Sequence, residues 1–235
     1  MINNIYIALV ITFLIALIWL RLNDFTARKG WISSRLSRKI IHIGTGPIFV
    51  LCWLLFPNSP YAAYLAALVP LSFTIQFFLV GIGLIKDEAS IQAMTRSGDR
   101  REILKGPLYY GIVFVVITIL YWTETPIGIT ALMIMCGGDG LADIIGRRYG
   151  QTKLPWNRQK SLEGSLSVFL GGTILTGLIL LIFIGKGIFV GPAEDYLFPI
   201  LIISLAATLV ESLPLKDIDN ITITLTALFL GRLLF

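Results

Sequence analysis

Long apolar runs separated by short polar segments dominate the chain. The runs cover roughly residues 4–20, 40–56, 61–85, 107–122, 126–145, 162–185, 196–214 and 220–235. Most of them approach the roughly 20 residues that an α-helix needs to cross the hydrocarbon core of a bilayer. The pattern therefore predicts an all-α fold, a polytopic integral membrane bundle of about seven or eight transmembrane helices.

Composition supports a membrane protein and changes how the charge is interpreted. The chain is 56% hydrophobic, and its mean hydropathy of +0.83 exceeds that of an ordinary soluble domain. A net charge of +5 would suit nucleic acid, but the cations lie in loops, where the positive-inside rule accounts for them. We therefore expect a lipid bilayer and no nucleic acid as partner. Cys52 and Cys136 lie in separate apolar runs, which favours packing over a disulfide or a metal site.

The cations alternate between loops. The first loop holds Arg21, Arg28, Lys29, Arg35, Arg38 and Lys39; the third holds Lys86, Arg96, Arg100, Arg101 and Lys105; the fifth holds Arg147, Arg148, Lys153, Arg158 and Lys160; the seventh holds Lys216. The positive-inside rule then predicts that the odd-numbered loops face the cytoplasm. The first residues show no cationic region and no evident cleavage site, so we expect the first run to remain a membrane helix, in a bacterial inner or thylakoid membrane.

Candidate chemistry is concentrated in residues 136–164, CGGDGLADIIGRRYGQTKLPWNRQKSLEG. Three glycines surround Asp139, and glycine permits a sharp bend or the close approach of a ligand. Asp143 follows four residues later, so a helix would place both carboxylates on one face, which Gly146 and Gly150 continue. A carboxylate pair followed by a cation cluster suits a magnesium-bound polyphosphate. The alternative is a solvated basic loop that caps a membrane helix.

The position of Asp139 in its apolar run predicts a site inside the membrane. About 13 residues separate Pro126 from the aspartate, which is roughly 20 Å of helix and less than the roughly 30 Å of hydrocarbon. A carboxylate at that depth needs a water-filled cavity, a cation or a partner. Such a site could join a water-soluble phosphate donor to a lipid acceptor.

Other polar residues allow two interpretations each. His42 is either an interfacial histidine or a functional one. Glu163, at the start of the sixth run, is either a partner of the helix dipole or a site carboxylate, and the free N–H groups of that helix end favour a phosphate. The acidic residues of VESLPLKDIDNITI form either a second cluster or a turn between helices. No nucleotide-binding glycine motif of soluble proteins and no internal repeat is visible.

At this point the sequence resembles a known family, the phytol kinases of cyanobacteria and plastids, within the CTP-dependent polyprenol and dolichol kinases. The resemblance covers most of the chain from about Arg38 and rests on SRKIIHIGTGP, TRSGDRREILKGPLYY, the segment from TPIGITALMIMCGGDG to QKSLEGS, and ATLVESLP followed by IDNITI. The core of the third block is also similar to phosphatidate cytidylyltransferases, which use CTP. In the last block Ile218 stands where the family has a second Asp, so we rank that cluster below the central block.

The resemblance implies that the γ-phosphoryl group of CTP is transferred to phytol or a related isoprenoid alcohol, giving phytyl monophosphate for phytol salvage and tocopherol biosynthesis. It implies one integral membrane kinase domain over residues 1–235, with a variable first helix (1–21) and a CTP and metal core (136–164). Asp139 and Asp143 are assigned to Mg²⁺. Catalytic roles are assigned to Asp139, Lys160, Glu163 and His42, and nucleotide binding to Arg147, Arg148, Lys153, Gly138, Gly140, Gly146 and Lys39.

Two other functions remain open from the sequence alone. A cytidylyltransferase would transfer CMP to a lipid phosphate and release pyrophosphate, whereas the kinase reaction releases CDP. A small transporter would use the intramembrane Asp139 to bind an ion and would hydrolyse no nucleotide. Acceptor chain length, the general base and the oligomeric state do not follow from the residues.

Overall fold

The structure, a computed structural model, describes residues 2–95, 97–215 and 217–235. Arg96 and Lys216, two of the cations counted above, lie outside the described residues. The chain divides into two compact units, Met1–Ile119 and Leu120–Phe235, and each is described by itself.

Both units are built almost entirely of helices. The first contains α1 (Ile5–Arg28), α2 (Ser34–Cys52), α3 (Ala62–Ile82), α4 (Glu88–Met94) and all but the last residue of α5 (Gly106–Leu120), with 3₁₀ turns at Trp53–Leu55 and Arg100–Leu104. The second contains α6 (Ile127–Ile134), a π-helical turn (Met135–Asp139), α7 (Gly140–Tyr149), β1 (Lys153–Leu154), β2 (Asn157–Ser161), α8 (Leu162–Gly185), α9 (Glu194–Ser212) and α10 (Asp219–Leu234).

The predicted all-α membrane bundle is confirmed. Among the described residues, seven helical segments are long and apolar enough to span a membrane: Ile5–Arg28, Arg35–Leu55, Ala62–Ile82, Arg100–Leu120, Ile127–Tyr149, Leu162–Gly185 and Glu194–Ser212. The last predicted span forms α10, which is shorter at 16 residues. The outer faces are apolar, as expected for helices in lipid: α1 exposes Ile7, Val10, Leu14, Ile18 and Leu22 along one stripe.

Helix ends differ from the predicted ones where polar residues continue a helix. Helix α1 extends to Arg28, eight residues past the end of its apolar run, and α2 begins at Ser34 rather than near residue 40. The reason is that an apolar run marks the thickness of the hydrocarbon, whereas the helix continues into the interface. Much of the predicted first loop is therefore helical.

The predicted fifth loop contains a short antiparallel hairpin that the apolar pattern did not predict. Strands β1 and β2 pair Lys153 with Ser161 and Leu154 with Asn157. Of these residues, Leu154 and Ser161 are buried. The hairpin leads directly into α8, because Ser161 is the N-cap of that helix and its hydroxyl accepts a hydrogen bond from Gly164 N.

Helices α6 and α7 form one continuous segment around the π-helical turn. This segment, Ile127–Tyr149, is the most buried of the seven candidate spans. The glycines around Asp139 do not end the helix; they allow a wider turn. The wider turn rotates the following side chains about the helix axis relative to their positions on a regular α-helix. Asp139 is the last residue of that turn and lies near the middle of the span. The intramembrane position of this carboxylate remains a prediction.

Small residues bring α8 against this central segment. A Cβ atom on Gly171 would lie 2.7 Å from the carbonyl oxygen of Gly137, and one on Gly137 would lie 2.8 Å from that of Gly171. Two turns closer to the hairpin, a Cβ atom on Gly164 would lie 3.3 Å from the Cα atom of Gly146. Without a hydrophobic driving force between helices in lipid, this backbone contact is a main source of helix association.

We expect Gly171→Ala to destabilise the protein by about 1–3 kcal/mol, because the added methyl group overlaps the backbone of Gly137. Gly177→Ala is the matched control on the same helix, since a Cβ there meets no atom within 4 Å; it should be neutral or slightly stabilising. Thermal unfolding in detergent, followed by tryptophan fluorescence, measures both. Equal midpoints for the two variants would contradict the close packing.

Candidate metal centre

Three carboxylates from three different helical segments meet in the second unit. They belong to Asp139 at the end of the π-helical turn, Glu211 in the last turn of α9 and Asp219 at the start of α10. One oxygen of each lies within 4.8 Å of the others. Glu211 is 5% exposed, and the two aspartates are half-buried. Carboxylates at such close range repel one another unless a cation joins them.

The path of the chain explains this convergence. Helix α9 ends at Ser212, and the short connection to α10 includes Asp217 with a φ of 66°, a left-handed conformation that Asp tolerates better than most residues. The end of α9 and the start of α10 are therefore neighbours. Helix α10 also packs along α6, where Gly231 faces Ile127. The sequence allowed either an acidic cluster or a turn in this segment; the structure contains the connection between α9 and α10, and it places Glu211 and Asp219 beside Asp139.

Lys160 supplies a cation to this cluster from the last part of β2. Its ammonium lies 2.6 Å from Glu211 Oε1 and 3.7 Å from Asp219 Oδ2. It also donates a hydrogen bond to the backbone carbonyl of Glu211, at the C-terminal end of α9, where the helix dipole favours a positive charge. The formal charges of these four groups, three negative and one positive, sum to −2.

The donor set fits a divalent cation. Hard cations such as Mg²⁺ prefer carboxylate oxygens, and two oxygens at about 2.1 Å from one Mg²⁺ lie at most about 4.2 Å apart. Adjustments of less than about 1 Å would bring the three oxygens onto one ion. A divalent cation would cancel the remaining charge of the cluster.

Asp143, assigned to the metal from the sequence, has a different partner. Its Oδ1 accepts a hydrogen bond from Arg147 Nε, one helical turn further along α7. Glu163 likewise accepts hydrogen bonds from Thr152 N at 3.1 and 3.3 Å, which ties the start of α8 to the residue before β1. The sequence-based roles of Asp143 and Glu163 therefore remain predictions, while Glu211 and Asp219 are the residues that the structure places beside Asp139 and Lys160.

The cations and glycines assigned to the nucleotide lie around the same helices. Arg148 lies over the ring of Tyr149, 5.4 Å from its centroid, and Lys153 is an exposed residue of β1. Gly138 contacts Val168 of α8, as Gly146 contacts Gly164, and Gly140 is the buried first residue of α7. These contacts give Gly138 and Gly146 a packing role, and nucleotide binding by these residues remains a prediction.

His42 and Lys39 belong to α2, in the first unit. The hydroxyl of Tyr110 donates a hydrogen bond of 2.7 Å to the backbone carbonyl of His42, and the two rings lie 4.5 Å apart between centroids. Lys39 is 9% exposed. Since each unit is described by itself, the roles of His42 as a general base and of Lys39 in nucleotide binding remain predictions.

Sequence reasoning ranked Glu211 and Asp219 below the central block, whereas the structure places their carboxylates close to that of Asp139. The chain places them 72 and 80 residues after Asp139, and a departure from the family pattern at Ile218 directed attention away from them. One signal was available: Glu211 is a carboxylate inside an apolar run, and such a residue within a membrane span is by default a functional candidate.

Comparison with known proteins finds close relatives over most of the chain. A probable phytol kinase, chloroplastic, of Zea mays is 41% identical over 92% of this chain and 72% of its own length. A probable phytol kinase 1, chloroplastic, of Oryza sativa subsp. japonica is 44% identical over 91% of this chain and 68% of its own length. A farnesol kinase, chloroplastic, of Arabidopsis thaliana is 42% identical over 88% of this chain and 68% of its own length. No protein-family model and no solved structure matches the chain.

The geometry of the carboxylate cluster predicts which carboxylates bind a divalent cation. Glu211→Gln and Asp219→Asn should each weaken Mn²⁺ binding by about 10–100-fold or more, because each removes a charged ligand. Asp143→Asn is the matched comparison, and it should weaken binding much less because Asp143 pairs with Arg147. The purified variants in detergent are titrated with Mn²⁺, and electron paramagnetic resonance of the free Mn²⁺ gives the affinity of each variant. A loss with Asp143→Asn as large as that with Asp219→Asn would restore the pair predicted from the sequence.

Proposed function

Because the chain belongs to the phytol kinase family, we propose that it transfers the γ-phosphoryl group of CTP to the hydroxyl of phytol or a related isoprenoid alcohol. The membership rests on relatives about 40% identical that match most of both chains. The chain is accordingly an alcohol-acceptor phosphotransferase and a multi-pass membrane protein. CTP as donor, Mg²⁺ as metal and a cytoplasmic site are the parts that we add as proposals.

One observation supports the site above all others. The carboxylates of Asp139, Glu211 and Asp219 lie close together in the second unit, and the ammonium of Lys160 pairs with two of them, Glu211 and Asp219. Phosphoryl transfer needs positioning and charge neutralisation more than covalent help from the protein. A cluster that combines metal-binding carboxylates with a lysine has both components.

Each group then has a defined task. Asp139, Glu211 and Asp219 would hold Mg²⁺, which supplies neutralisation of the negative charge on the triphosphate. Lys160 balances the carboxylates when the donor is absent and is the nearest cation for the γ-phosphate when it is bound. Arg147, Arg148 and Lys153 follow Asp139 along α7 and β1 and are the candidates for the remaining phosphate charge.

The reaction exchanges one phosphorus–oxygen bond for another. The bond between the γ-phosphorus and its bridging oxygen breaks, the alcohol oxygen bonds to the phosphorus, and CDP leaves with the bridging oxygen. The alcohol proton must pass to a base within hydrogen-bond reach. A carboxylate of the cluster and His42 are the two candidates, and a pH profile of the His42→Gln variant distinguishes them.

The location of the cluster suits two substrates from different phases. Asp139 lies near the middle of a candidate span, whereas Lys160 lies on a hairpin between two spans. A long isoprenoid chain dissolves among lipid tails, and a nucleotide remains in water. We propose that the hydroxyl and the triphosphate meet at this level, on the cytoplasmic side that the loop cations predict.

The first test uses purified protein in detergent with phytol, Mg²⁺ and γ-labelled CTP. We expect label in a lipid monophosphate, with a loss of at least about 100-fold for Asp139→Asn, because the charge that binds the metal is removed. Asp195→Asn is the control, since it removes an exposed carboxylate at the opposite end of α9. It should retain activity.

Analysis of the reaction products shows whether the result of this assay contradicts the kinase function. Release of pyrophosphate instead of CDP would assign a cytidylyltransferase reaction. No labelled lipid with phytol, geranylgeraniol, farnesol or longer polyprenols, and with any nucleoside triphosphate, would overturn the kinase function. Comparison of the four triphosphates as donors tests the preference for CTP separately.

Metal removal provides an independent prediction. Chelation with EDTA should abolish lipid phosphorylation, and added Mg²⁺ should restore it, because the triphosphate charge is not neutralised without the metal. Restoration by Mn²⁺, which also accepts oxygen ligands, is expected as well. Full activity in excess EDTA would contradict a metal-dependent site.

A further inference from the structure

The β1–β2 hairpin is attached to the end of α9 by side chains next to Lys160. Trp156 Nε1 donates a hydrogen bond of 3.1 Å to Ser212 Oγ, and that hydroxyl in turn donates to the carbonyl of Leu209. Asn157 Nδ2 lies 3.2 Å from the carbonyl oxygen of Ser212 and 3.3 Å from that of Leu213. The hairpin therefore has a defined position on the helix that carries Glu211.

These contacts have a physical basis in the helix end. The last four carbonyl groups of an α-helix have no partner within the helix and are strong hydrogen-bond acceptors. Asn157 donates to two carbonyls at the end of α9, and Lys160 donates to a third, that of Glu211. The hairpin is thus the C-terminal cap of α9, and the lysine is part of that cap.

The other end of the hairpin is also fixed. Leu162 N donates a hydrogen bond of 2.8 Å to the carbonyl of Thr152, and Glu163 accepts from Thr152 N. Ser161 is buried and caps α8. Lys160 therefore lies between two attachment points, one on α9 and one on α8.

We infer that the hairpin, residues 153–161, is a latch, and that Trp156 and Asn157 are positioning residues that hold the Lys160 ammonium on the carboxylate cluster. A lysine side chain has four rotatable bonds and loses up to about 2 kcal/mol of entropy when it is ordered. Because the hairpin backbone is attached to both α8 and α9, the distance over which the Lys160 ammonium can move is limited. Trp156 is 56% exposed, so burial of its ring is not what secures it. The inference rests on the proposed function, in which Lys160 binds the transferred phosphate.

The test compares Asn157→Ala and Trp156→Phe with a control on the same strand. The first variant removes the two hydrogen bonds to α9, and the second retains an aromatic ring without the N–H donor. Gln159→Ala is the matched control, because its side chain is exposed and lies two residues from Asn157. Trp156→Phe keeps the inference testable if Asn157→Ala does not fold.

The first readout follows Lys160 itself and needs no enzymatic activity. Acetylation by an amine-reactive reagent, quantified by peptide mass spectrometry, measures how often the ammonium leaves the cluster. We expect the rate at Lys160 to rise about three- to tenfold in both latch variants, the effect of losing one or two hydrogen bonds. The rate at exposed Lys153 is the internal reference. An unchanged rate at Lys160 would overturn the inference whether or not the protein is a kinase.

The second readout is a double-mutant cycle on phosphoryl transfer. Asn157→Ala should lower kcat about tenfold with little change in the KM for the alcohol, since Lys160 acts on the phosphoryl group. In a Lys160→Met background the same change should have almost no further effect. A similar loss in both backgrounds, or an equal loss with Gln159→Ala, would show a general structural role and overturn the inference.

Discussion

Compensation of buried charge is the constraint on which the second unit depends. Asp139, Glu211 and Asp219 come from three helical segments, and each carboxylate would be costly in a helical bundle without a cation. Lys160 provides one such charge, and its ammonium connects α9 and α10 through ion pairs with Glu211 and Asp219. The net negative charge of these four groups suits the divalent cation, and hence the triphosphate, that we propose for the cluster. In this proposal the same imbalance underlies both the architecture and the chemistry.

Backbone contact between helices determines where these charges lie. The paired glycines of the π-helical turn and α8 let the two backbones touch, which fixes the depth of Asp139 relative to Lys160 at the base of α8. The hairpin determines the remaining position through the open carbonyls of α9. Membrane packing and helix capping, usually treated as matters of stability, together determine the geometry of the candidate site.

The sequence predicted the helices, the family and part of the site. Asp139 and Lys160 stood out because glycines and cations surround them in one continuous segment. Glu211 and Asp219 did not, because their proximity to Asp139 is produced by the packing of α10 on α6 and α9, which no local pattern encodes. Spacing on an ideal helix favoured Asp143, whereas the structure pairs it with Arg147 and inserts a π-helical turn before it. The hairpin was missed because two short strands leave no periodic signal.

The order of the three carboxylates along the chain has a consequence for biosynthesis. Asp139 enters the membrane with the fifth apolar run, but the helices that carry Glu211 and Asp219 are synthesised more than 70 residues later. During that interval Asp139 is present without the two other carboxylates of the cluster, and Lys160 follows it by 21 residues. The full cluster assembles only after the last two helices have been inserted. The nascent chain therefore does not present the complete acidic cluster to the translocation machinery.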